Sequence, residues 1–359
     1  MNMSKNIKKV AFVINKVTLS GGAERVICTL ASEFSRQGID TTIITQQTTE
    51  CGYSLEETVK IWAAKAKGKI SILRNFARNS AMRRYIKEQK FDVVISFMTI
   101  MNLQAILFTR GLKSKVVVSE RIFPATIKQP IKLLSKIIYP MADGFVFQTE
   151  QARDCFGGKV RKKGCIIYNP LKENLPFADE EKSKYVVTIG RLTEQKNHKL
   201  LISAFEKFVQ NHPNHELRIY GNGPLKAELE NFAKGLGISD KVRLMGAVEN
   251  VTEHIKDAEM FVLSSNFEGM PNVLAEAMAM GLPCVSTDCL GGGAAALVEN
   301  EKNGLLIPCR DVEQLYNAME RIASNAEFAN RLACNGKKLR EQLSVENISA
   351  QWLDYCLSL

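Results

Sequence analysis

Several features that would place this sequence in a familiar class are missing. No apolar run is long enough to span a bilayer, which argues against an integral membrane protein. Its nine cysteines include no C-x-x-C pair and its four histidines no H-E-x-x-H arrangement, which argues against a zinc site. There is also no Asp-x-Asp triplet to hold a metal ion. What remains is the composition of a cytoplasmic protein with reduced cysteines.

Positive charge is concentrated in the first half of the chain. Residues 1–178 carry a net charge of +16, whereas residues 179–359 carry −6. Basic side chains are interleaved with apolar ones over residues 60–90, and the same character returns over residues 113–138. Such stretches suit an anionic membrane surface, which we favour over an ordinary solvated helix face. Nucleic acid is disfavoured as a partner, because no recognised binding module accompanies the charge.

Buried strands and amphipathic helices alternate along the chain. An apolar strand at residues 9–15, a glycine turn, a helix and a second strand at residues 41–45 form a βαβ unit. The second half repeats the alternation, so the fold class is α/β, with two Rossmann-like, doubly wound domains expected to face a cleft. The predicted boundaries are 1–172 for the first domain, 173–183 for a linker, 184–345 for the second domain and 346–359 for a C-terminal helix that packs back on the first.

One stretch of the second half suggests a ligand. The apolar run Met260–Leu263 leads through a Ser/Asn/Gly/Pro segment into a helical pattern that begins near Val273, which predicts a strand, a loop and a helix start. The unpaired N–H groups and positive dipole of a helix start suit a phosphate. Glu268 and Glu276 could then accept hydrogen bonds from sugar hydroxyls. Taken alone, either acid is better explained as a solvated side chain or one that favours the helix dipole.

Taken together, these residues resemble the donor-binding motif of a known enzyme family. The E-x7-E spacing of Glu268 and Glu276 is similar to that of glycosyltransferase family 4, whose members are retaining enzymes of the GT-B architecture. Other segments match the family in order and spacing, and the resemblance covers essentially the whole chain. The matching segments are Gly21–Arg25, Gly190–Leu192, Lys196–Asn197, Tyr220–Pro224, Gly269–Val273, Gly281–Pro283 and Asn303–Leu306.

The resemblance implies a role for each matching residue. Arg191 and Lys196 neutralise the donor diphosphate, and charge stabilisation of this leaving group is the main catalytic term. Glu268 contacts the transferred sugar, and Glu276 accepts from the ribose hydroxyls. The implied scheme uses a UDP-sugar as co-substrate and requires neither a cofactor nor a metal. The remaining implied donor contacts are Gly22, Gly190, Gly221, Gly223, Val248, Gly269, Met270, Pro271, Asn272 and Val273.

The sequence departs from the family pattern at two places. Many relatives have a histidine in the amino-terminal domain, whereas this chain has none before His198. The segment Ser119–Arg121 lies at the corresponding strand end and resembles a signature of relatives that add hexosamines to bacterial surface glycans. Glu120 is therefore assigned to the catalytic set, and Gly21 and Arg121 to the acceptor side. The second departure is an alanine, Ala295 or Ala296, where the family commonly has an acid.

The predicted function is a retaining, metal-independent transfer of a hexose or N-acetylhexosamine from a UDP-sugar. The expected acceptor is a polyprenyl-diphosphate-linked or lipopolysaccharide-type glycan, as in O-antigen or capsule synthesis, at the inner face of the cytoplasmic membrane. Two alternatives stay open. A sugar-nucleotide 2-epimerase on the same fold would need histidines in both halves, and the missing one counts against it. A non-catalytic membrane- or nucleic-acid-binding relative would fit the basic face and Ala296.

Overall fold

The computed structural model describes residues 7–18, 21–66 and 71–359, and it divides the chain into two compact units. The first unit extends to Pro170 and also contains Leu343–Leu359, whereas the second comprises Leu171–Gln342. Each unit has its own parallel sheet. In the described parts of the chain, no helix combines the length and apolar character needed to cross a bilayer.

The sheet of the first unit has seven parallel strands in the order β3-β2-β1-β4-β5-β6-β7. Its central strands are continuous buried apolar runs, as expected where helices cover both faces of a parallel sheet. The described strands are β1 Lys9–Ile14, β2 Asp40–Thr45, β3 Lys60–Ala63, β4 Val93–Phe97, β5 Lys115–Ser119, β6 Gly144–Phe147 and β7 Gly164–Ile166. The described helices between them are α1 Gly22–Arg36, α2 Ser71–Gln89, α3 Thr99–Thr109, α4 Gln129–Ile138, α5 Glu150–Asp154 and α6 Gly158–Lys163, with 3-10 turns at Pro124–Thr126 and Tyr139–Met141.

The sheet of the second unit has six parallel strands in the order β10-β9-β8-β11-β12-β13. The chain starts in the middle at β8, builds outward to one edge and then returns to the other side of β8. The loops after β8 and β11 therefore meet at a topological switch point, where doubly wound sheets bind ligands. The strands are β8 Ser183–Ile189, β9 Glu216–Tyr220, β10 Val242–Gly246, β11 Ala258–Leu263, β12 Cys284–Asp288 and β13 Leu305–Pro308. The helices are α7 His198–Asn211, α8 Lys226–Gly235, α9 Asn272–Met280, α10 Gly293–Leu297, α11 Val312–Ala323, α12 Ala326–Gly336 and α13 Leu339–Gln342, with a 3-10 turn at Val251–His254.

The last helix, α14 (Val345–Leu357), belongs to the first unit although the chain has just left the second. Trp352 is fully buried and stacks on Phe97 at a ring-centroid distance of 5.7 Å. The backbone N–H of Phe145 donates to the Tyr355 hydroxyl oxygen at 2.7 Å. The helix predicted for residues 346–359 is therefore anchored by its own aromatic side chains to β4 and β6.

The segment predicted as a linker, residues 173–183, packs on the second unit. Ala178 donates its backbone N–H to the Met280 carbonyl oxygen at 2.8 Å, and Asp179 donates to that of Lys256 at the same distance. The guanidinium of Arg340 donates to the carbonyl oxygens of Leu175 and Pro176. Backbone hydrogen bonding thus holds this segment, even though its composition is typical of a loop.

The basic stretch over residues 60–90 is not one continuous element. It contains the edge strand β3 and the helix α2, and residues 67–70 between them lie outside the described residues. Some of its charges are used within the first unit. Lys60 pairs with Asp40 at 2.9 Å, and Arg83 donates to two backbone carbonyl oxygens at the end of α3.

Candidate active site

Glycines form the carboxyl edge of β8, β9 and β10. A Cβ on Gly221 would lie 2.1 Å from the Gly190 carbonyl oxygen, and one on Gly223 would lie 2.4 Å from that of Leu192. Gly221 also has a φ of +138°, which side-chain-bearing residues rarely adopt. The backbone N–H of Gly221 donates to the Gly246 carbonyl oxygen at 2.7 Å. These strand ends are thus packed backbone to backbone, with no space for side chains at Gly221 and Gly223.

His198, the first residue of α7, holds the loop that follows β8. Its Nε2 lies 3.3 Å from the Arg191 carbonyl oxygen, and because a carbonyl only accepts, Nε2 carries the proton. Its Nδ1 is buried and receives no hydrogen bond from any described residue. Burial lowers the pKa of His198 to about 4, so the ring is neutral at physiological pH. A neutral histidine therefore fixes the backbone of Arg191.

The two predicted cations of this loop differ in their surroundings. The Arg191 side chain is exposed and forms no hydrogen bond or ion pair with a described residue. The aliphatic part of Lys196 lies over Gly190, where a Cβ would come within 3.1 Å of it. The Lys196 Nζ reaches an Oε1 of Glu268 at 2.6 Å, and the two side chains are only 14% and 8% exposed. The site therefore has one exposed cation and one that is already paired.

Glu268 lies between three segments of the second unit. Besides Lys196, its Oε1 accepts a hydrogen bond from the Ser265 hydroxyl at 2.6 Å. Its backbone N–H donates to the Leu290 carbonyl oxygen at 2.9 Å. The loops after β8 and β11 therefore meet at the Glu268 carboxylate, and the loop after β12 holds the backbone of the same residue.

The helix α9 begins at the switch point, immediately after Pro271. Gly269 just before it is covered by Gly293, where a Cβ would lie 1.6 Å from the Gly269 carbonyl oxygen. Met270 and Pro271 are buried, whereas Asn272, Val273 and Glu276 are partly exposed. The first backbone N–H groups of a helix lack intrahelical acceptors, so this helix start can receive an anion. Glu276 follows about one turn inside the helix.

Two further sequence predictions concern the edges of this region. Val248, expected near the nucleotide base, follows β10 and is 37% exposed. Ala296, where the family commonly has an acid, lies in the short helix α10 and is partly exposed, and its neighbour Ala295 is exposed. Both alanines leave α10 without a carboxylate at these positions.

Gly21, predicted on the acceptor side, and Gly22, predicted as a donor contact, lie in the first unit at the start of α1. Gly21 precedes the helix in an extended conformation, and Gly22 is its first residue. The Tyr53 hydroxyl donates to the Gly21 carbonyl oxygen at 3.0 Å, which ties the loop to the segment after β2. The backbone at Gly22 is exposed.

Glu120, at the carboxyl end of β5, is buried with its carboxylate fully engaged. The Thr99 hydroxyl donates to Oε1 at 2.8 Å and the Tyr139 hydroxyl to Oε2 at 2.7 Å. The backbone N–H of Arg121 also points to Oε1, at 3.3 Å. Burial raises the pKa of this carboxyl group, although the hydrogen bonds favour its charged form.

Arg121 turns inward rather than toward solvent. Its guanidinium lies 3.8 Å from the centre of the Phe97 ring and donates to the side-chain oxygen of Asn169. Burial lowers its pKa to about 9, and the charge of Glu120 acts against that shift. The Nε and one terminal nitrogen of Arg121 have no hydrogen-bond partner among the described residues. A cation–π contact thus replaces part of its hydrogen bonding.

The predicted site residues fall into two groups, one in the second unit and one in the first. The second-unit group is Gly190, Arg191, Lys196, Gly221, Gly223, Val248, Glu268, Gly269, Met270, Pro271, Asn272, Val273 and Glu276, and the first-unit group is Gly21, Gly22, Glu120 and Arg121. Sequence reasoning missed the supporting roles of His198, Ser265 and Tyr139. The only sequence signal for Ser265 is its position directly after an apolar strand. Among the described residues, no three His, Cys, Asp or Glu side chains converge as a metal site.

The strand order of the second unit, with a helix start and two cations at its switch point, defines a Rossmann-like domain suited to an anionic ligand. Two family models match the chain and together cover most of it. The model described as "Glycosyl transferases group 1" matches residues 172–339, and that described as "Glycosyltransferase Family 4" matches residues 20–174. The chain therefore belongs to this group of GT-B glycosyltransferases, and the predicted family and fold class are confirmed.

Individual relatives are similar over nearly the whole chain. One is the GalNAc-alpha-(1->4)-GalNAc-alpha-(1->3)-diNAcBac-PP-undecaprenol alpha-1,4-N-acetyl-D-galactosaminyltransferase of Campylobacter jejuni, which is 31% identical over 96% of this chain and 97% of its own length. Among solved structures, HepE from Anabaena in complex with UDP aligns with a TM-score of 0.82 at 17% identity, covering 98% of this chain and all of that one. The lipopolysaccharide outer core galactosyltransferase WaaB aligns with a TM-score of 0.78 at 21% identity, covering 98% of this chain and 99% of that one.

The buried, neutral His198 predicts a pH dependence of stability. Its pKa of about 4 lies below the ordinary value, so between about pH 6.5 and 4 only the unfolded chain binds the proton. Stability is unaffected above this window and falls as pH drops through it, by about 2 kcal/mol at pH 5. In His198→Gln, whose amide can still donate to Arg191, this loss should disappear.

The measurement is urea unfolding of both proteins at pH 7.5 and pH 5. His254→Gln is the matched control, because His254 is exposed and should leave the dependence unchanged. If the stability of His198→Gln depended on pH as that of the wild type does, the loss could not be assigned to protonation of His198.

Proposed function

We propose that this glycosyltransferase moves a hexose or N-acetylhexosamine from a UDP-sugar to a lipid-linked glycan, with retention of configuration and without a metal. The observation that carries the proposal is the set of charges at the switch point. Arg191, Lys196 and the start of α9 provide positive potential beside the carboxylates of Glu268 and Glu276. A sugar diphosphate has the matching chemistry, with an anionic centre between two groups that carry hydroxyls.

Donor recognition follows from this arrangement. The diphosphate lies at the start of α9, close to the N–H groups near Val273, and Arg191 is exposed and able to reach it. Glu276 accepts from the ribose and Glu268 from the sugar. The base packs by Gly246–Val248, next to strand ends that are held by backbone contacts. The UDP in the HepE complex supports a uridine donor.

The chemistry is that of a leaving group stabilised by charge. As the bond to the sugar breaks, negative charge grows on the diphosphate. The cations and the helix N–H groups therefore interact more strongly with the diphosphate in the transition state than in the ground state. The departing phosphate takes the proton of the acceptor hydroxyl on the same face of the sugar, which retains configuration. The two carboxylates bind hydroxyls and do not act as the acid and base of a glycoside hydrolase.

A lipid-linked acceptor is supported by the Campylobacter jejuni relative, whose name specifies an undecaprenol diphosphate glycan. In the first unit, Gly21, Gly22, Glu120 and Arg121 lie at carboxyl ends of strands or the helix start after them, where ligands of doubly wound sheets bind. Because both oxygens of Glu120 already accept hydrogen bonds, we assign it to holding the Ser119–Arg121 segment.

Contact with an anionic membrane surface is part of the proposal. The helix α4 exposes Leu133, Leu134 and Ile137, which are 64%, 47% and 66% exposed, while Lys132 and Lys136 lie on the same helix. The helix α3 packs between α4 and α2, and α2 exposes Leu73 and Phe76 at 63% and 76%. Exposed apolar side chains bordered by lysines suit a lipid interface. In this proposal the enzyme acts at the inner face of the cytoplasmic membrane and nucleic acid has no role.

The transfer assay uses purified protein, a panel of UDP-sugars and a polyprenyl-diphosphate-linked glycan. A longer glycan and released UDP are expected for one donor. Arg191→Ala and Lys196→Ala should each lower kcat by about 10²–10³-fold, because each removes a positive charge that stabilises the leaving group. Lys199→Ala is the matched control, since Lys199 forms an exposed pair with Glu228 and should leave kcat unchanged.

Full turnover by the Arg191 and Lys196 variants would contradict the charge-stabilisation mechanism. A UDP-sugar epimer released without acceptor would instead support the 2-epimerase. Binding of UDP with neither transfer nor donor hydrolysis would support a non-catalytic relative.

The membrane proposal is tested by sedimentation with vesicles of neutral phosphatidylcholine or of phosphatidylcholine with phosphatidylglycerol. The protein should prefer the anionic vesicles, and Lys132→Glu with Lys136→Glu should weaken that binding by at least about tenfold, because each lysine contributes roughly 1 kcal/mol near such a surface. Leu236→Gln, an exposed apolar position of the second unit, is the control. Equal binding to both vesicle types would contradict an electrostatic contact.

A further inference from the structure

We infer that Ser265 is a positioning residue, which orients Glu268 so that one carboxylate oxygen is presented to the donor sugar. The inference rests on the proposed function, because it takes Glu268 as a sugar contact. Its basis is the hydrogen-bond geometry around a single buried carboxylate.

The two oxygens of Glu268 have different surroundings. Oε1 accepts from the Ser265 hydroxyl and from the Lys196 ammonium, each at 2.6 Å. No described residue donates a hydrogen bond to Oε2. A carboxylate can accept about four hydrogen bonds, so one oxygen is fixed while the other keeps its capacity for a sugar hydroxyl.

Ser265 is itself held by the sheet. Its carbonyl oxygen accepts from the Thr287 hydroxyl at 2.6 Å, and Thr287 lies in β12. Both residues are completely buried. The orientation of the carboxylate is therefore connected through two hydroxyl groups to a core strand, rather than to an exposed loop.

Glu268 needs a neutral hydrogen-bond donor because Lys196 interacts with two anions, the Glu268 carboxylate and the donor diphosphate. In the proposed function its ammonium also neutralises the donor diphosphate, which weakens its hold on the carboxylate. A buried carboxylate that loses its donors is strongly destabilised. Ser265 cannot be drawn away in this manner, because its hydroxyl carries no charge and its backbone is held by Thr287. It keeps Oε1 in place while Lys196 turns to the diphosphate.

This role predicts different effects on the binding of a UDP-sugar and on the binding of UDP alone. If Ser265 acts through Glu268, losing its hydroxyl should weaken binding of the UDP-sugar more than binding of UDP, which has no sugar to contact. A purely structural serine would affect both ligands equally. The ratio of the two affinities is therefore the diagnostic quantity.

The experiment measures binding of UDP, UDP-N-acetylgalactosamine and UDP-glucose by calorimetry, together with donor KM and kcat. Ser265→Ala should weaken binding of the preferred UDP-sugar relative to UDP, or lower its kcat, by about 10- to 100-fold, the range for a hydrogen bond to a charged group. Thr287→Val should show the same pattern more weakly, and Thr287→Ser should resemble the wild type.

Ser264→Ala is the matched control. Its hydroxyl is equally buried and donates to the Lys196 carbonyl oxygen at 3.0 Å, without touching Glu268. It should lose stability without changing the ratio of UDP-sugar to UDP affinity.

The outcomes distinguish this inference from the function on which it rests. If the wild type binds UDP-sugars and transfers sugar, but Ser265→Ala and Thr287→Val leave the affinity ratio and kcat unchanged, the positioning role is overturned. If the wild type binds none of these ligands, the proposed donor site is wrong and the inference is overturned with it. If Ser265→Ala fails to fold, the affinity ratios of Thr287→Val and Thr287→Ser still test the positioning role.

Discussion

The ion pair between Lys196 and Glu268 is the interaction on which the second unit's site depends. Its partners lie in loops that follow neighbouring strands, and their atoms are 2.6 Å apart with little solvent access. Removing one partner of such a pair costs about 3–5 kcal/mol, because the remaining charge stays buried. The pair also fixes the two loops that meet at the switch point. The same contact thus shapes the site and holds the lysine that a diphosphate would engage.

The surrounding backbone is built to keep this contact in place. Gly190 leaves space for the Lys196 stem, and His198 fixes the Arg191 carbonyl group behind it. On the other side, Gly293 packs directly on Gly269, so the segment entering α9 has little room to shift. A backbone held in this way limits the rearrangement needed before the charges of the site can stabilise a developing anion. The exposed Arg191 has more freedom than Lys196, because it pairs with no described residue.

The sequence predicted the fold well where residues have one dominant tendency. Buried apolar runs such as that of β11 and the helical spacing of α1 gave the two doubly wound sheets, but β3 was missed because it is a short edge strand that begins with a lysine. The acids and cations of the site were predicted from the resemblance of their motifs to those of the family. The pairing of Lys196 with Glu268 was not, since 72 positions separate them and only the parallel order of β8 and β11 brings them together. Burial of Glu120 and Arg121 likewise depends on Tyr139 and Phe97, which local sequence does not reveal.

The central claim is a division of labour in which cations and a helix start act on the leaving group, while the two acids only bind hydroxyls. Glu276 tests it most directly, because it lies within α9 yet is assigned no part in charge stabilisation. Steady-state kinetics of Glu276→Ala with varied UDP-sugar should give a donor KM raised by about 10- to 100-fold, as expected for loss of a charged hydrogen-bond acceptor, with kcat nearly unchanged. A large fall in kcat with unchanged donor affinity would contradict the account.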